Sequence, residues 1–359
     1  MKQFFVQLFK VAIFSSVGVT AALFTLLIGM VVLIGVVSLA AGDGHQDSSI
    51  EVAAREFVTG DKSSDNELLI IPISGVIMGE PEPAGDWLTG ISSGITYGYE
   101  VKEQLAKASQ DESIKGIFLY INSPGGTIFG SNAILEGVAD YKAQTGKPVV
   151  AFVSGMAASG GYWASLAADE IIADTGSTIG SIGVIFGPFK YYDSVLSEDG
   201  GILTGGVVTE YGIQTTYITG GKYKDLGNPY RQLSPEEITT LQNMVNVSYE
   251  QFVSKVAEHR SIDPEIIKNQ IGALVYSEQQ AKELQLIDGV GSKEFSYTVL
   301  AQKANLGDDY QVTRLQQEPT FLGSLVGAVL PNKTPTASGV CPLASVISAY
   351  HGDIQAVCQ

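Results

Sequence analysis

Histidine, cysteine and basic side chains are scarce in this 359-residue sequence, and each scarcity excludes a class of site. The 21 lysine and arginine residues are outnumbered by 38 acidic residues, which gives a net charge of -17, so we expect no nucleic-acid partner. No Cys-x-x-Cys or His-x-x-x-His spacing occurs, so we expect neither a metal nor an organic cofactor. The two cysteines, Cys341 and Cys358, lie near the C-terminus. The sequence leaves open whether they form a disulfide in an oxidising compartment or stay unpaired.

Charge is absent altogether from residues 11–42. This run exceeds the roughly 20 residues that span a bilayer as a helix, and the ~7–15-residue apolar core of a cleavable signal peptide. Lys2 and Lys10 precede the run, which predicts that the short flank stays in the cytoplasm. We therefore expect residues 1–42 to form a cytoplasmic stub and one transmembrane helix, with the rest of the chain outside the cytoplasm. A Ser-Leu-Ala sequence at residues 38–40 leaves cleavage of this anchor open.

Three further regions follow the anchor. Residues 43–66 are rich in serine and aspartate and are predicted to be a polar linker. Residues 67–305 alternate between strand and helix signals, which predicts an α/β domain of βαβ units around a mostly parallel sheet. Residues 306–359 form a tail of uncertain structure. The predicted strands are 68–71, 116–121 and 148–153, and the predicted helices are 99–110 and 132–143.

A longer helix is predicted to begin after Ser234, with Pro235 in its first turn and a capping box. An apolar stripe follows at helical spacing, and we expect it to face the core, with packing on a neighbouring subunit as the alternative. The stripe consists of Ile238, Leu241, Val245, Tyr249, Phe252 and Val256.

Glycine-rich turns follow three apolar strand-like runs. They are Asn-Ser-Pro-Gly-Gly at 122–126, Ala-Ser-Gly-Gly-Tyr at 158–162 and Gly-Ser-Ile-Gly-Val at 180–184. Because ligands of parallel α/β sheets bind at the carboxyl ends of strands, we expect the turns to share one crevice. A serine at a strand-to-helix turn suits a nucleophile, and bare glycine N–H groups suit an oxyanion hole. Tight helix–sheet packing is the alternative explanation for these small residues.

Ser159 is the candidate nucleophile, and it needs a general base to accept its hydroxyl proton. None of the three histidines, His45, His259 and His351, lies in a glycine-rich turn, so a Ser-His-Asp triad has little support. A lysine whose pKa is lowered by burial can act instead. Two lysines, Lys222 and Lys224, compete for this role, and the residues alone do not choose between them.

The ordered set of motifs resembles the signal peptide peptidase A family, the membrane-anchored bacterial protease IV. The resemblance covers roughly residues 68–291 and includes Tyr-Lys at 223–224 ahead of Pro229. It implies a ClpP/crotonase-like fold and a serine protease with a Ser-Lys dyad. It further implies Ser159 as nucleophile, Lys224 as general base, Ser181 as the serine that orients the lysine, and the backbone of Gly125 and Gly126 as oxyanion hole. Gln285 departs from a glycine of the family, and residues 191–221 form a longer connection than expected.

The resemblance also implies a setting. We expect a homo-oligomeric ring in which neighbouring protomers contribute the dyad, in contact with membrane lipid at the bacterial inner membrane. The catalytic domain would lie in the periplasm or extracytoplasmic space and degrade apolar peptides such as cleaved signal peptides.

Three alternatives are weighed against this interpretation: an exported protease acting on a membrane-protein partner, an inactive membrane scaffold, and a crotonase-type acyl-CoA enzyme. The last is disfavoured by the anchor and by the Ser-Lys set. The apolar tail segment 321–330 is too short to span a bilayer and is expected to pack on the body, lie on the membrane or occupy the substrate groove.

Overall fold

All eleven strands of the described residues belong to one sheet. The computed structural model describes residues 55–81, 94–189, 218, 220–229 and 231–316, and the backbone of 348–350. These residues fall in one unit that begins at Ala54. Within them no helix is both long and apolar enough to cross a membrane. The predicted anchor, both cysteines and the apolar tail segment lie outside the described residues.

The secondary structure alternates along the chain. The strands are β1 (Arg55–Gly60), β2 (Glu67–Met78), β3 (Ile95–Tyr97), β4 (Ile114–Thr127), β5 (Val149–Ala158), β6 (Glu170–Ala173), β7 (Thr178–Gly180), β8 (Val275–Ser277), β9 (Gly289–Val290), β10 (Gln311–Leu315) and β11 (Ser348–Tyr350). The helices are α1 (Gly98–Ser109), α2 (Ile128–Thr145), α3 (Gly160–Ser165), α4 (Pro235–Arg260), α5 (Pro264–Ile266), α6 (Glu278–Glu283) and α7 (Lys293–Lys303), and α5 continues into a π-helical turn at Ile267–Ile271.

The main strand order is β1-β10-β2-β4-β5-β6-β9. Every neighbouring pair in this order is parallel except β1 with β10. Helix α1 connects β3 to β4, and α2 connects β4 to β5, so the predicted βαβ units and the α/β class are confirmed. Strand β7 pairs parallel with the last three residues of β5 and antiparallel with β8.

Both faces of the central strands are buried, because alternate side chains of a strand point to opposite faces. In β5, Val149, Ala151 and Val153 join the larger core under α1 to α4. Their neighbours Val150 and Phe152 join a second core under α7, where Phe118 stacks at 5.7 Å from Phe152. This two-sided burial explains why the sequence reads there as short, continuous apolar runs.

Helix α4 confirms its predicted start but only half of its predicted apolar stripe. The Glu237 N–H donates to Ser234 Oγ at 3.2 Å, and Glu237 Oε2 accepts from the Ser234 N–H at 2.8 Å, which completes the capping box. Phe252 and Val256 are fully buried, whereas Ile238 is 53% exposed. The expectation that the whole stripe faces the core is therefore wrong for Ile238, although Leu241, one turn later, is buried.

Three strands of the sheet, β1, β10 and β11, lie outside residues 67–305. Strand β1 lies within the predicted linker, and β10 lies within the predicted tail. The two strands pair with each other, and β10 also pairs with β2. Arg55 anchors β1 through ion pairs to Glu67 at 3.0 Å and Asp111 at 2.6 Å. Local sequence patterns give no signal for such long-range pairing.

Candidate active site

Ser159 lies at the junction between β5 and α3. Its backbone has φ 55° and ψ -119°, a conformation that non-glycine residues rarely adopt and that costs on the order of 1–3 kcal/mol. Hydrogen bonds hold it in place: the Ser159 N–H donates to the Gly180 carbonyl at 2.8 Å, and the Ser159 carbonyl accepts from the Trp163 N–H at 2.9 Å. Strained residues cluster at active sites. Among the buried serines of the described residues, Ser159 and Ser181 are the two with a positive φ.

The Ser159 side chain is enclosed by backbone. The residue is fully buried, and its Oγ donates to the Gly183 carbonyl at 3.4 Å, near the long limit for a hydrogen bond. Gly161 permits this close packing, because a Cβ there would lie 2.6 Å from the Ser123 carbonyl oxygen. The glycines after Ser159 therefore serve packing as well as the turn.

Helix α3, which follows Ser159, is fixed by two buried contacts. The Tyr162 hydroxyl donates to the Leu286 carbonyl at 2.8 Å. Burial raises the pKa of Tyr162, so the hydroxyl keeps its proton and remains a donor. The Trp163 ring lies 4.7 Å from the Phe252 ring of α4. The helix after the candidate nucleophile is thus tied both to the segment before β9 and to α4.

Ser181 leaves the sheet beside Ser159. Ala158 pairs with Gly180 in the parallel β5–β7 ladder, so the next residue of each strand is a serine. Adjacent strands lie about 4.8 Å apart. Ser181 is 7% exposed with φ 54°, and its N–H donates to the Leu274 carbonyl at 2.6 Å. The structure therefore brings these two predicted site residues together.

Gly125 and Gly126 lie in the last part of β4, which continues through the motif predicted as a turn. They pair with Val76 and Ile77 of β2. A Cβ on Gly126 would lie 1.9 Å from the Ile77 carbonyl oxygen, so only glycine fits. The Gly125 N–H donates to Ser123 Oγ at 3.1 Å, and this hydroxyl donates to the Gly75 carbonyl at 2.6 Å. The Gly125 N–H is therefore already hydrogen-bonded within its own strand end.

A segment of the chain's own tail lies on this glycine strand. Strand β11 runs antiparallel to β4, with Ser348, Ala349 and Tyr350 opposite Thr127, Gly126 and Gly125. It also lies beside α3. The sequence prediction missed this strand and considered only residues 321–330 for the groove. The available signal was the uncovered edge of β4, because an unpaired strand edge recruits another strand.

Lys224 forms no hydrogen bond with either serine in the part of the chain that the structure describes. It belongs to a series of turns at 220–229 and is exposed, whereas Ser159 is fully buried. Its side chain makes no hydrogen bond or ion pair with the described residues. Lys222 instead bonds Glu236 at 2.9 Å, with 72% of its side chain exposed. The structure thus brings together Ser159, Ser181, Gly125 and Gly126, but not Lys224 of the same chain.

A cavity of about 340 Å³ opens next to Ser181, between the 181–185 segment and α4. It is lined by Ser181, Gly183, Val184, Ile185, Gln242, Val245, Asn246, Tyr249 and Ala273. The cavity is mostly apolar with two amide side chains at one wall. It could admit an apolar side chain or the stem of a lysine next to the serines.

Comparisons with known proteins match this region of the chain. A profile described as Clp protease matches residues 94–172, and one described as Peptidase family S49 matches residues 141–307. Together the two matches extend from β3 to just beyond α7. The α/β fold is therefore ClpP-like.

Three relatives share the same part of the sequence. A candidate protease of Methanocaldococcus jannaschii is 38% identical over 55% of this chain and 59% of its own length. A candidate signal peptide peptidase SppA of Enterococcus faecium is 29% identical over 74% of this chain and 72% of its own. Protease 4 of Salmonella typhi is 31% identical over 73% of this chain but only 38% of its own. The chain thus spans less than two thirds of two of these three relatives.

Proposed function

Because this chain belongs to the signal peptide peptidase A (protease IV) family, we propose that it is a membrane-anchored serine endopeptidase with a Ser159–Lys224 dyad. One observation carries the peptidase proposal: a peptide segment, β11, lies antiparallel on Gly125–Thr127, beside the helix that follows Ser159. Extended peptides bind sheet edges in this way, through main-chain hydrogen bonds. A strained serine next to such an edge fits attack on a peptide carbonyl.

The proposed reaction begins with neutral Lys224, which accepts the Ser159 Oγ proton as Oγ attacks the scissile carbonyl. The Gly125 and Gly126 N–H groups then stabilise the oxyanion, by about 3–4 kcal/mol per donor. The Gly125 N–H must exchange its bond to Ser123 Oγ for the oxyanion, while Ser123 keeps its bond to the Gly75 carbonyl. Lys224 protonates the leaving amine, and water hydrolyses the acyl-enzyme. Ser181, next to Ser159, orients the lysine amine.

We further propose that Lys224 acts on Ser159 of a second copy of the chain in a ring. Within one copy, the exposed Lys224 forms no hydrogen bond with the fully buried Ser159 in the part of the chain that the structure describes. The cavity next to Ser181 would receive the neighbour's lysine.

The setting is also a proposal, and the uncharged run in the sequence and the relative named as a signal peptide peptidase support it. Residues 11–42 would anchor the chain in the bacterial inner membrane, with the N-terminus cytoplasmic and the ClpP-like domain outside. Apolar peptides such as cleaved signal peptides would reach the site from the membrane. Alkaline carbonate extraction of cells producing the full chain, compared with a chain lacking residues 1–42, tests the anchor: release of the full chain from membranes would contradict it.

Hydrolysis of a fluorogenic apolar peptide by the detergent-solubilised full chain tests the dyad. We expect Ser159→Ala and Lys224→Ala each to abolish turnover and Lys222→Ala to retain it. If Lys222→Ala alone lost activity, the general base would be Lys222 and not Lys224. A folded, oligomeric wild type that cleaves none of a broad peptide panel would favour the inactive scaffold instead.

Co-expression of the two inactive chains, each with a different affinity tag, tests whether the dyad crosses protomers. Mixed oligomers purified through both tags contain intact Ser159 on one copy and intact Lys224 on another. We expect them to regain a substantial part of wild-type turnover. Mixed oligomers as inactive as the two parents would mean that both residues must come from one chain.

A further inference from the structure

The turns that contain Lys224 are joined to the start of α4 by one arginine. Arg231 Nε donates to Asp225 Oδ2 at 2.7 Å, and its Nη2 donates to Asp225 Oδ1 at 2.9 Å. The same guanidinium donates to both carboxylate oxygens of Glu237, at 2.8 and 2.7 Å. Asp225 is the residue directly after Lys224. Arg231 therefore links the proposed base to the helix through two bidentate contacts.

The helix side of this link is rigid. The Glu237 side chain is only 2% exposed and also accepts from the Ser234 N–H in the capping box. The Arg231 hydrogen bonds hold the pKa of Glu237 at about 2, well below its usual range, so this anchor stays charged. A planar guanidinium between two carboxylates fixes direction as well as distance, unlike a lysine ammonium. Movement of Asp225 relative to α4 would break both of its hydrogen bonds.

Helix α4 in turn is fixed to the core. Phe252 is fully buried and contacts Trp163, four residues after Ser159. The chain of contacts therefore runs from the turn of Lys224 through Arg231 and α4 to the helix that follows a serine nucleophile. Within the turns, the Leu226 N–H donates to the Tyr223 carbonyl at 3.1 Å and the Asn228 N–H donates to the Asp225 carbonyl at 3.0 Å. These bonds close the turns but do not join them to α4.

We propose that Arg231 is a positioning residue for Lys224: through Asp225 and Glu237 it holds the turn so that the lysine amine can reach a Ser159 hydroxyl. This inference rests on the proposed dyad. Arg231 does not touch substrate in this proposal, and it acts only through the residue next to the base.

The chain supplies a matched control pair. Lys222 and Glu236 join the same two elements, but by one contact of 2.9 Å with 72% and 69% of their side chains exposed. Exposed single ion pairs of this kind contribute little to stability. Glu236→Gln therefore removes a charge next to Glu237 without touching the Arg231 link.

The test compares kcat and KM of single and double variants, with the detergent-solubilised full chain and a fluorogenic apolar peptide as substrate. Asp225→Asn weakens the link on the turn side and leaves the helix cap intact, whereas Arg231→Gln and Arg231→Lys remove the guanidinium. We expect each to lower kcat on the order of 10²-fold with little change in KM, because misplacement by about 1 Å costs that much. Glu236→Gln should stay near wild type. In a Lys224→Ala background, Asp225→Asn should cause no further loss of residual turnover, since its effect runs through the lysine.

Several outcomes would overturn the inference. Wild-type kcat in both Asp225→Asn and Arg231→Gln would show that the link does not position the base. Arg231 would have a purely structural role if Asp225→Asn lowered turnover in the Lys224→Ala background as much as it does in the wild type. Loss of the folded oligomer on size-exclusion chromatography would mean the same. Full activity of Lys224→Ala itself would instead refute the proposed dyad, and the inference with it. Rescue of Arg231→Ala by added methylguanidinium, without rescue of Lys224→Ala, is the expected signature of a positioning guanidinium.

Discussion

Gly126→Ala is the substitution whose effect follows most directly from the structure. The added Cβ would lie 1.9 Å from the Ile77 carbonyl oxygen and 2.6 Å from the Ile77 nitrogen. Real Cβ contacts are essentially never shorter than 3.0 Å, so the two strands must separate by about 1.1 Å. Both obstructing atoms belong to the backbone of β2, which is paired along most of β4, and neither can rotate away.

The displaced residue is one of the two proposed oxyanion donors, so the expected effect is on kcat. A shift of about 1 Å lowers the rate on the order of 10²-fold, and the overpacking itself destabilises the fold by about 1–3 kcal/mol. Gly146→Ala is the matched control. Gly146 ends α2 with φ 67°, and a Cβ added there would meet no atom within 4 Å, so this change should cost about 1 kcal/mol of stability and no activity.

The assay combines peptide hydrolysis, fluorophosphonate labelling of Ser159 and urea unfolding followed by circular dichroism. We expect Gly126→Ala to lose kcat and labelling rate together while remaining folded in the absence of urea. A Gly126→Ala protein whose kcat stays within about threefold of wild type would refute the reasoning, because the strand end would then tolerate a shift that should disable it.

Three further changes have defined outcomes. Gln285 has φ 62° and is exposed, so Gln285→Gly should stabilise the fold by about 0.5–1 kcal/mol in urea unfolding without changing kcat; a loss of stability would contradict this. Glu237 has a pKa lowered to about 2 by its hydrogen bonds with Arg231, so its contribution to stability is present above about pH 4.5 and is lost as the pH falls toward 2. Glu237→Gln should therefore reduce the fall in the free energy of unfolding between about pH 4.5 and pH 2. An unchanged fall would refute the role given to Glu237. Removal of residues 317–359 uncovers the β4 edge, so KM for peptides should fall; an unchanged KM would mean that β11 does not compete with substrate.

The strand ends that carry Ser159 and the glycines could be predicted because they depend on local patterns. Short apolar runs predicted parallel strands, and parallel strands end at one edge, which brought Ser159, Ser181 and Gly126 into one region. The pairing of Ala158 with Gly180 was not predicted, but it follows once the two strands are parallel neighbours. Gln285 has a left-handed backbone at φ 62°, which fits the glycine that the resemblance implies at this position.

The features that escaped prediction depend on contacts between distant parts of the chain. Strand β10 inserts between β1 and β2, and neither sequence pattern nor composition marks that pairing. Helical spacing predicted Ile238 as buried, because periodicity identifies a face but cannot tell where the neighbouring element ends. Lys224 is a member of the motif in sequence, yet in the structure it is exposed whereas Ser159 is fully buried, and a sequence motif does not encode that difference.

The packing of Trp163 on Phe252 gives the protein an optical probe of its own. The sequence has two tryptophans, and Trp163 is 2% exposed, four residues after Ser159. In a chain with Trp87 replaced by phenylalanine, all indole emission would come from the interface between α3 and α4. The wavelength and quenching of this emission would then show, in real time and without a label, whether acylation of Ser159 changes the packing of α3 on α4.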